Sequence, residues 1–169
     1  MQILATPWRM EYIARTQKGE GCVFCDLLAA SHADEVSFIL HREREAFLIL
    51  NVYPYTPGHL MAVPYRHAPS LRELAADEID ALFRLAQQGE RLLRRAYGCR
   101  SVQIGANLGR AAGAGVPGHV HLHVVAWPES GLWERWAEAE TLPEALPETY
   151  TRLRQILRDL GSDGQAPGA

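Results

Sequence analysis

An α+β domain built on a five-stranded antiparallel sheet, with one long helix, a short N-terminal helix and a C-terminal helix, is the architecture the sequence predicts. Three features carry that reading. Short apolar runs rich in strand formers follow one another in hairpin-like succession, one long stretch has the 3.6-residue period of an amphipathic helix, and the helical stretches are inserted among hairpin-linked strands.

Taken in order, CVFCDLLAAS, from Cys22, has the spacing of a short helix. VSFILHR (36–42) and AFLILNVY (46–53) are apolar and strand-like, parted by the charged REREA, and read as a hairpin. YPYTPG (53–58) is dense in turn residues, and HLMAVPY (59–65) reads as a third strand stopped by Pro64. From Ser70 the period changes: Leu71, Leu74, Ile79, Leu82, Phe83, Leu85 and Ala86 fall on one stripe, arginines crowd the end, and Gly98 closes the helix. SVQIGANLG (101–109) is a fourth strand, RAAGAGVPG (110–118) a glycine-rich loop and HVHLHVVAW (119–127) a fifth strand. PEALPETYTRLRQILRDLG (143–161) has Pro, Glu and a Gly stop where a terminal helix wants them. One domain over 1–160 follows, with an N-terminal extension (1–21) and a disordered tail (161–169) whose text, GSDGQAPGA, is small and polar.

With 169 residues, 47% of them hydrophobic, the chain has material for one ordinary core. A net charge of −3 and a pI near 6.2, without runs of like charge, disfavour capture of a nucleic acid polymer or an anionic membrane. Any polyanion it handles is small. Arg9, Glu11 and Arg15 interrupt the N-terminal segment before a signal-peptide-like stretch appears, so the expected location is the cytoplasm. Three cysteines, Cys22, Cys25 and Cys99, then argue against a disulfide framework.

Strand alternation sends His119, His121 and His123 to one face and Val120, Leu122 and Val124 to the other. At roughly 3.3 Å per residue the outer two histidines stand roughly 13 Å apart, too far to close around one ion from a straight strand. Three imidazoles in five positions behind a glycine-rich loop suggest another use. Glycines let backbone N–H groups approach an anion, and an imidazole with a pKa of about 6.5 is a nucleophile toward phosphorus at neutral pH. The middle histidine is best placed to attack, its neighbours holding its tautomer and neutralising phosphoryl charge.

Cys22-Val-Phe-Cys25 has the spacing of half a zinc site. A redox dithiol is disfavoured because no strand precedes the pair; two half-buried cysteines on a short helix are the unfunctional alternative. Cys99, beside Gly98, reads as a packed thiol, and His32 and His41 as surface residues.

The H-x-H-x-H pattern behind a glycine-rich turn, with LNVYPYTPGHLMAVPYRH and CVFC, resembles the histidine triad family of nucleotidyl hydrolases and transferases. PWRMEYI, ANLGRAAGAGVPGHVHLH and LPEALPETYTRLR look most like its bacterial diadenosine tetraphosphate phosphorylase branch, and the likeness spans roughly residues 7 to 160. The resemblance implies that His121 is the nucleophile, that His123 contacts the α-phosphate and that His59 completes the catalytic cluster. It implies ribose contact by Asn51, and places Asn107, Gly113, Ala114 and Gly115 against the phosphates; Asn51 and Asn107 equally well simply end strands. It implies a Cys2His2 structural zinc on Cys22, Cys25, His67 and His119, no organic cofactor, and a homodimer.

The sequence departs from the family at Ala126-Trp127-Pro128, where many members have Pro-Arg, and at ESGLWERW and Gly115. The leading expectation is cleavage of a dinucleoside polyphosphate such as diadenosine tetraphosphate, with inorganic phosphate or water as acceptor. Alternatives are a triad-type hydrolase of nucleoside phosphoramidates or adenylylated adducts, and a nucleotide-binding module without turnover.

Overall fold

The computed structural model describes residues 21–30, 32–127 and 144–163. The segments PWRMEYI and ESGLWERW, nearly all of the N-terminal extension and residues 164–169 lie outside them. Five strands, β1 (Ile39–Arg42), β2 (Ala46–Leu50), β3 (Leu60–Pro64), β4 (Ser101–Gly105) and β5 (Leu122–Trp127), form one antiparallel sheet in the order β1-β2-β3-β5-β4. Helices α1 (Val23–Ala29), α2 (Asp34–Ser37), α3 (Ala76–Tyr97) and α4 (Leu146–Asp163) complete the α+β fold.

The central strands β2 and β3 are buried at every position, which explains their unbroken apolar text. Alternation divides their side chains between two cores. Leu48, Leu50, Leu60 and Ala62 join Leu122, Val124 and Ala126 of β5 beneath Leu82, Leu85, Leu92 and Leu93 of α3. Phe47, Ile49, Met61 and Val63 meet Cys22 and Phe24 on the opposite face. Each fully buried Leu or Phe contributes about 1.5–3 kcal/mol, so the larger core fixes the sheet and the smaller one ties α1 to it. Gly89 lets α3 lie close: a Cβ there would stand 3.3 Å from Leu60 Cδ1 and 3.4 Å from Val124 Cγ1.

The long helix starts at Ala76 rather than Ser70, with Leu71–Glu73 a 3-10 turn before it. Glu78 sets that start by accepting the Ala75 N–H at 2.7 Å. The expected stripe holds except at Phe83, which is 53% exposed. The helix ends as expected at Gly98 (φ 61°), whose N–H bonds to the carbonyl of Arg94.

Three strands are shorter than their apolar text suggests. Asp34–Ser37 turns once as a helix, Phe38 closes it in the left-handed region (φ 57°), and only then does β1 begin. β4 stops at Gly105, before the loop, and β5 starts at Leu122 rather than His119. Ahead of β5 the backbone has other partners: the N–H of Val120 bonds to Ala68 and that of His119 to Val116.

Helix α4 runs past Gly161 to Asp163, three residues into the stretch read as a tail. It also covers a sheet edge, since the Tyr150 hydroxyl donates to the Ile39 carbonyl (3.1 Å) and the Arg154 guanidinium to that of Leu40. Among the described residues no helix is long and apolar enough to cross a membrane.

Candidate active site

The three histidines of the 119–123 segment are divided between two neighbouring sites. Val120, Leu122 and Val124 point into the larger core, which sends all three imidazoles to the other side. Because β5 starts only at Leu122, His119 turns away toward the cysteines, whereas His121 and His123 line a cleft of about 1020 Å³. No straight strand has to span the triad, and one ion does not hold it.

His121 is 5% exposed, and its Nδ1 lies 2.9 Å from the carbonyl oxygen of His119. A carbonyl only accepts, so Nδ1 carries the proton and Nε2 keeps its lone pair. Burial holds this imidazole below the ordinary histidine pKa, and His119 nearby acts in the same direction. Phe24 packs edge-on against both rings, 5.2 Å from His119 and 5.1 Å from His121 between centroids.

His59 is completely buried behind His123 rather than on the cleft. Its Nδ1 accepts the Tyr55 N–H (3.1 Å) and lies 3.3 Å from Asn51 Nδ2, so its proton sits on Nε2, which donates to Nδ1 of His123 across 2.9 Å. That leaves the other proton of the pair on Nε2 of His123. Tyr55 stacks on His59 at 4.7 Å and 17°, and the hydroxyl of Thr56 donates to the Ala126 carbonyl, tying the turn to β5. Sequence reasoning passed over Tyr55 and Phe24; an aromatic four residues before His59 and one inside the C-x-x-C were the available signals.

Asn51 caps β2, its Oδ1 accepting the Tyr53 N–H at 2.9 Å, and it also lines the cleft. Of the residues expected to face phosphates only Gly115 lines the cleft; Asn107, Gly113 and Ala114 do not. The N–H groups of Gly113 and Ala114 are used inside the loop, bonding to the carbonyls of Arg110 (2.9 Å) and Gly109 (3.2 Å). The loop therefore closes on itself where an anion-binding nest was expected. Ala126 is buried and the Trp127 indole N–H donates to Gln103 on β4, so the end of β5 places no cation near the histidines.

Cys22, Cys25, His67 and His119 converge so that their four ligand atoms all lie within 4.8 Å of one another. Nδ1 of His119 is 3.2 Å from Cys22 Sγ and 3.7 Å from Cys25 Sγ, and Nδ1 of His67 is 3.4 Å from Cys25 Sγ. Tetrahedral zinc with two sulfur and two nitrogen ligands needs separations of about 3.4–3.8 Å, so this donor set fits the metal. The remaining ring nitrogen of His119 donates to the Pro64 carbonyl at 2.9 Å, leaving Nδ1 unprotonated and aimed at the cysteines. Burial, the hydrogen bond and charge of Cys22, and nearby Asp26 raise the Cys25 thiol, a shift that a divalent cation would reverse. Cys99 is a buried thiol as expected; His32 is exposed at the cleft and His41 half-buried on β1.

A family model described as "Scavenger mRNA decapping enzyme C-term binding" matches residues 21–137. The AP-4-A phosphorylase of Mycobacterium tuberculosis is 33% identical over 133 residues, 74% of this chain and 67% of that protein. The chain belongs to the histidine triad family. Another relative is the bis(5'-nucleosyl)-tetraphosphatase [asymmetrical] of Schizosaccharomyces pombe, 29% identical over 53% of this chain and 48% of that one. Among solved structures, a "ZN-bound histidine triad family protein from Mycobacterium smegmatis" superposes with a TM-score of 0.69 at 25% identity, over 85% of this chain and 97% of that one. The histidine triad fold thus agrees with the α+β sheet read from the sequence.

Proposed function

We propose that this histidine triad protein cleaves dinucleoside polyphosphates, diadenosine tetraphosphate foremost, through a covalent nucleotidyl-His121 that is discharged to inorganic phosphate. The observation that carries the reading is the pair of fixed tautomers: a basic Nε2 on His121 beside a proton-bearing Nε2 on His123, both lining one cleft. Nε2 of His121 attacks the α-phosphorus, and the bond to the bridging oxygen breaks, that oxygen leaving with its electron pair on the nucleoside triphosphate. The His123 N–H donates to the phosphoryl oxygens as charge develops. In the second step a phosphate oxygen attacks the same phosphorus, the P–N bond breaks, and ADP departs with Nε2 restored. The similarity to AP-4-A phosphorylase supports this substrate and acceptor.

Zinc bound by Cys22, Cys25, His67 and His119 would supply structure and no chemical step. It would hold the His119 backbone whose carbonyl orients His121. The protein works as a homodimer through β4, the sheet edge opposite the one that α4 covers, where Ile104 is 40% exposed. Incubation with diadenosine tetraphosphate and labelled inorganic phosphate tests the acceptor. The expected products are ATP and labelled ADP; AMP with no label in ADP would make water the acceptor.

A further inference from the structure

Among the described residues, the cleft holding His121 and His123 is lined by one cationic side chain besides imidazoles, Arg110, and by one carboxylate, Asp26. Its volume of about 1020 Å³ is at the upper end of small-molecule sites, enough for an extended ligand. A phosphate chain brings roughly one negative charge per phosphate, and a cleft that takes several must answer them. The end of β5 does not, because Trp127 is engaged with Gln103 there.

Arg110 is also set apart from most of its kind. Arg42, Arg66, Arg84, Arg94 and Arg152 are each paired with a carboxylate, whereas the exposed Arg110 side chain makes no hydrogen bond or ion pair among the described residues. The loop is shaped to present it. Arg110–Ala112 form a single 3-10 turn between Gly109 (φ 82°) and Gly113 (φ 85°). A Cβ at Gly109 would meet nothing within 4 Å and one at Gly113 only Asn107 Nδ2 at 4.0 Å, so backbone shape, not space, requires glycine at both. Their positive φ closes the loop through the Ala112, Gly113 and Ala114 N–H groups, and Arg110 is the residue of this turn that lines the cleft.

We propose that Arg110 is the specificity-determining contact for the phosphates beyond the one His121 attacks, and so selects polyphosphates over single-phosphate substrates. The assignment rests on the nucleotidyl-transfer reading above. A guanidinium binds two phosphate oxygens in one plane, a geometry that Lys at the same position reproduces only as a point charge.

The test compares the full-length wild type with Arg110→Ala and Arg110→Lys on diadenosine tetraphosphate and on adenosine phosphoramidate, which has no second phosphate. Arg110→Ala should lower kcat/KM on the tetraphosphate about ten- to a hundred-fold and change it less than about two-fold on the phosphoramidate, with Arg110→Lys between. Equal losses on both substrates, or none on the tetraphosphate, would overturn the assignment. Equilibrium binding of a methylene-bridged, non-cleavable tetraphosphate separates the two ideas. A wild type that binds it at least ten-fold more tightly than Arg110→Ala yet turns over neither substrate leaves Arg110 in its role and overturns the transfer reading alone. Equal binding by the two proteins overturns the role of Arg110 alone.

Discussion

The Nδ1–H of His121 donates to the backbone carbonyl of His119 at 2.9 Å, and this bond joins the Cys22–Cys25–His67–His119 cluster to the proposed nucleophile. His119 gives its ring to the cysteines and its carbonyl to His121. Whatever fixes the first therefore orients the second.

Removal of one metal ligand should be felt in the fold first. Cys22→Ala is expected to lose bound zinc and to lower the melting temperature by on the order of 10 °C, since structural zinc contributes folding free energy directly. Metal analysis with parallel thermal melts checks it. A metal-free wild type as stable as the zinc-loaded protein would contradict the structural role.

His59→Ala should lower kcat about ten- to a hundred-fold with little change in KM, because His59 touches His123 and not the cleft. Without the His59 N–H, Nδ1 of His123 can take the proton that belongs on Nε2. Steady-state kinetics separates this from a binding defect, in which KM would rise at constant kcat.

The turn before His59 depends on a glycine for two reasons at once. Gly58 has φ 77°, and a Cβ there would stand 2.4 Å from Cε2 of Tyr97, whose hydroxyl is bonded to Glu144 and whose ring carries the Arg152 guanidinium. Gly58→Ala is expected to destabilise the protein by about 2–4 kcal/mol in urea unfolding. A loss below about 0.5 kcal/mol would show that the turn relaxes freely.

Glu78 gives stability a defined acid limb. Its hydrogen bonds from Arg66 hold the carboxylate below its ordinary pKa, burial opposes them, and the Ala75 N–H adds to the lowering. A carboxylate whose folded pKa is depressed contributes stability that is complete above its unfolded value of about 4.3 and lost as pH falls through the folded value. Between about pH 5 and about pH 3 the wild type should therefore lose melting temperature more steeply than Glu78→Gln. Parallel slopes would remove this pair from the account.

The sheet and α3 were legible because burial on one or two faces writes itself into the period of the apolar residues: AFLIL and LMAVP are continuous where both faces are covered. The limits of the strands were less legible, since β5 begins where its backbone leaves Ala68 and Val116, partners far from it or in a loop. His121 and His123 stand out by their spacing and His59 by the family resemblance, and the structure brings the three rings together. That His119 belongs to the cysteines follows from a turn of the chain no local pattern shows, and the Gly113 and Ala114 amides looked open only because their bonds to Arg110 and Gly109 are made within a loop of irregular shape.

The central claim is that Nε2 of His121 is bonded to phosphorus during each cycle. Rapid denaturation under neutral or alkaline conditions during turnover of diadenosine tetraphosphate, followed by peptide mass spectrometry, measures it most directly. The account predicts the added mass of AMP on the peptide bearing His121 and its absence in His121→Ala. A wild type that consumes the nucleotide at full rate while that peptide stays unmodified would contradict it.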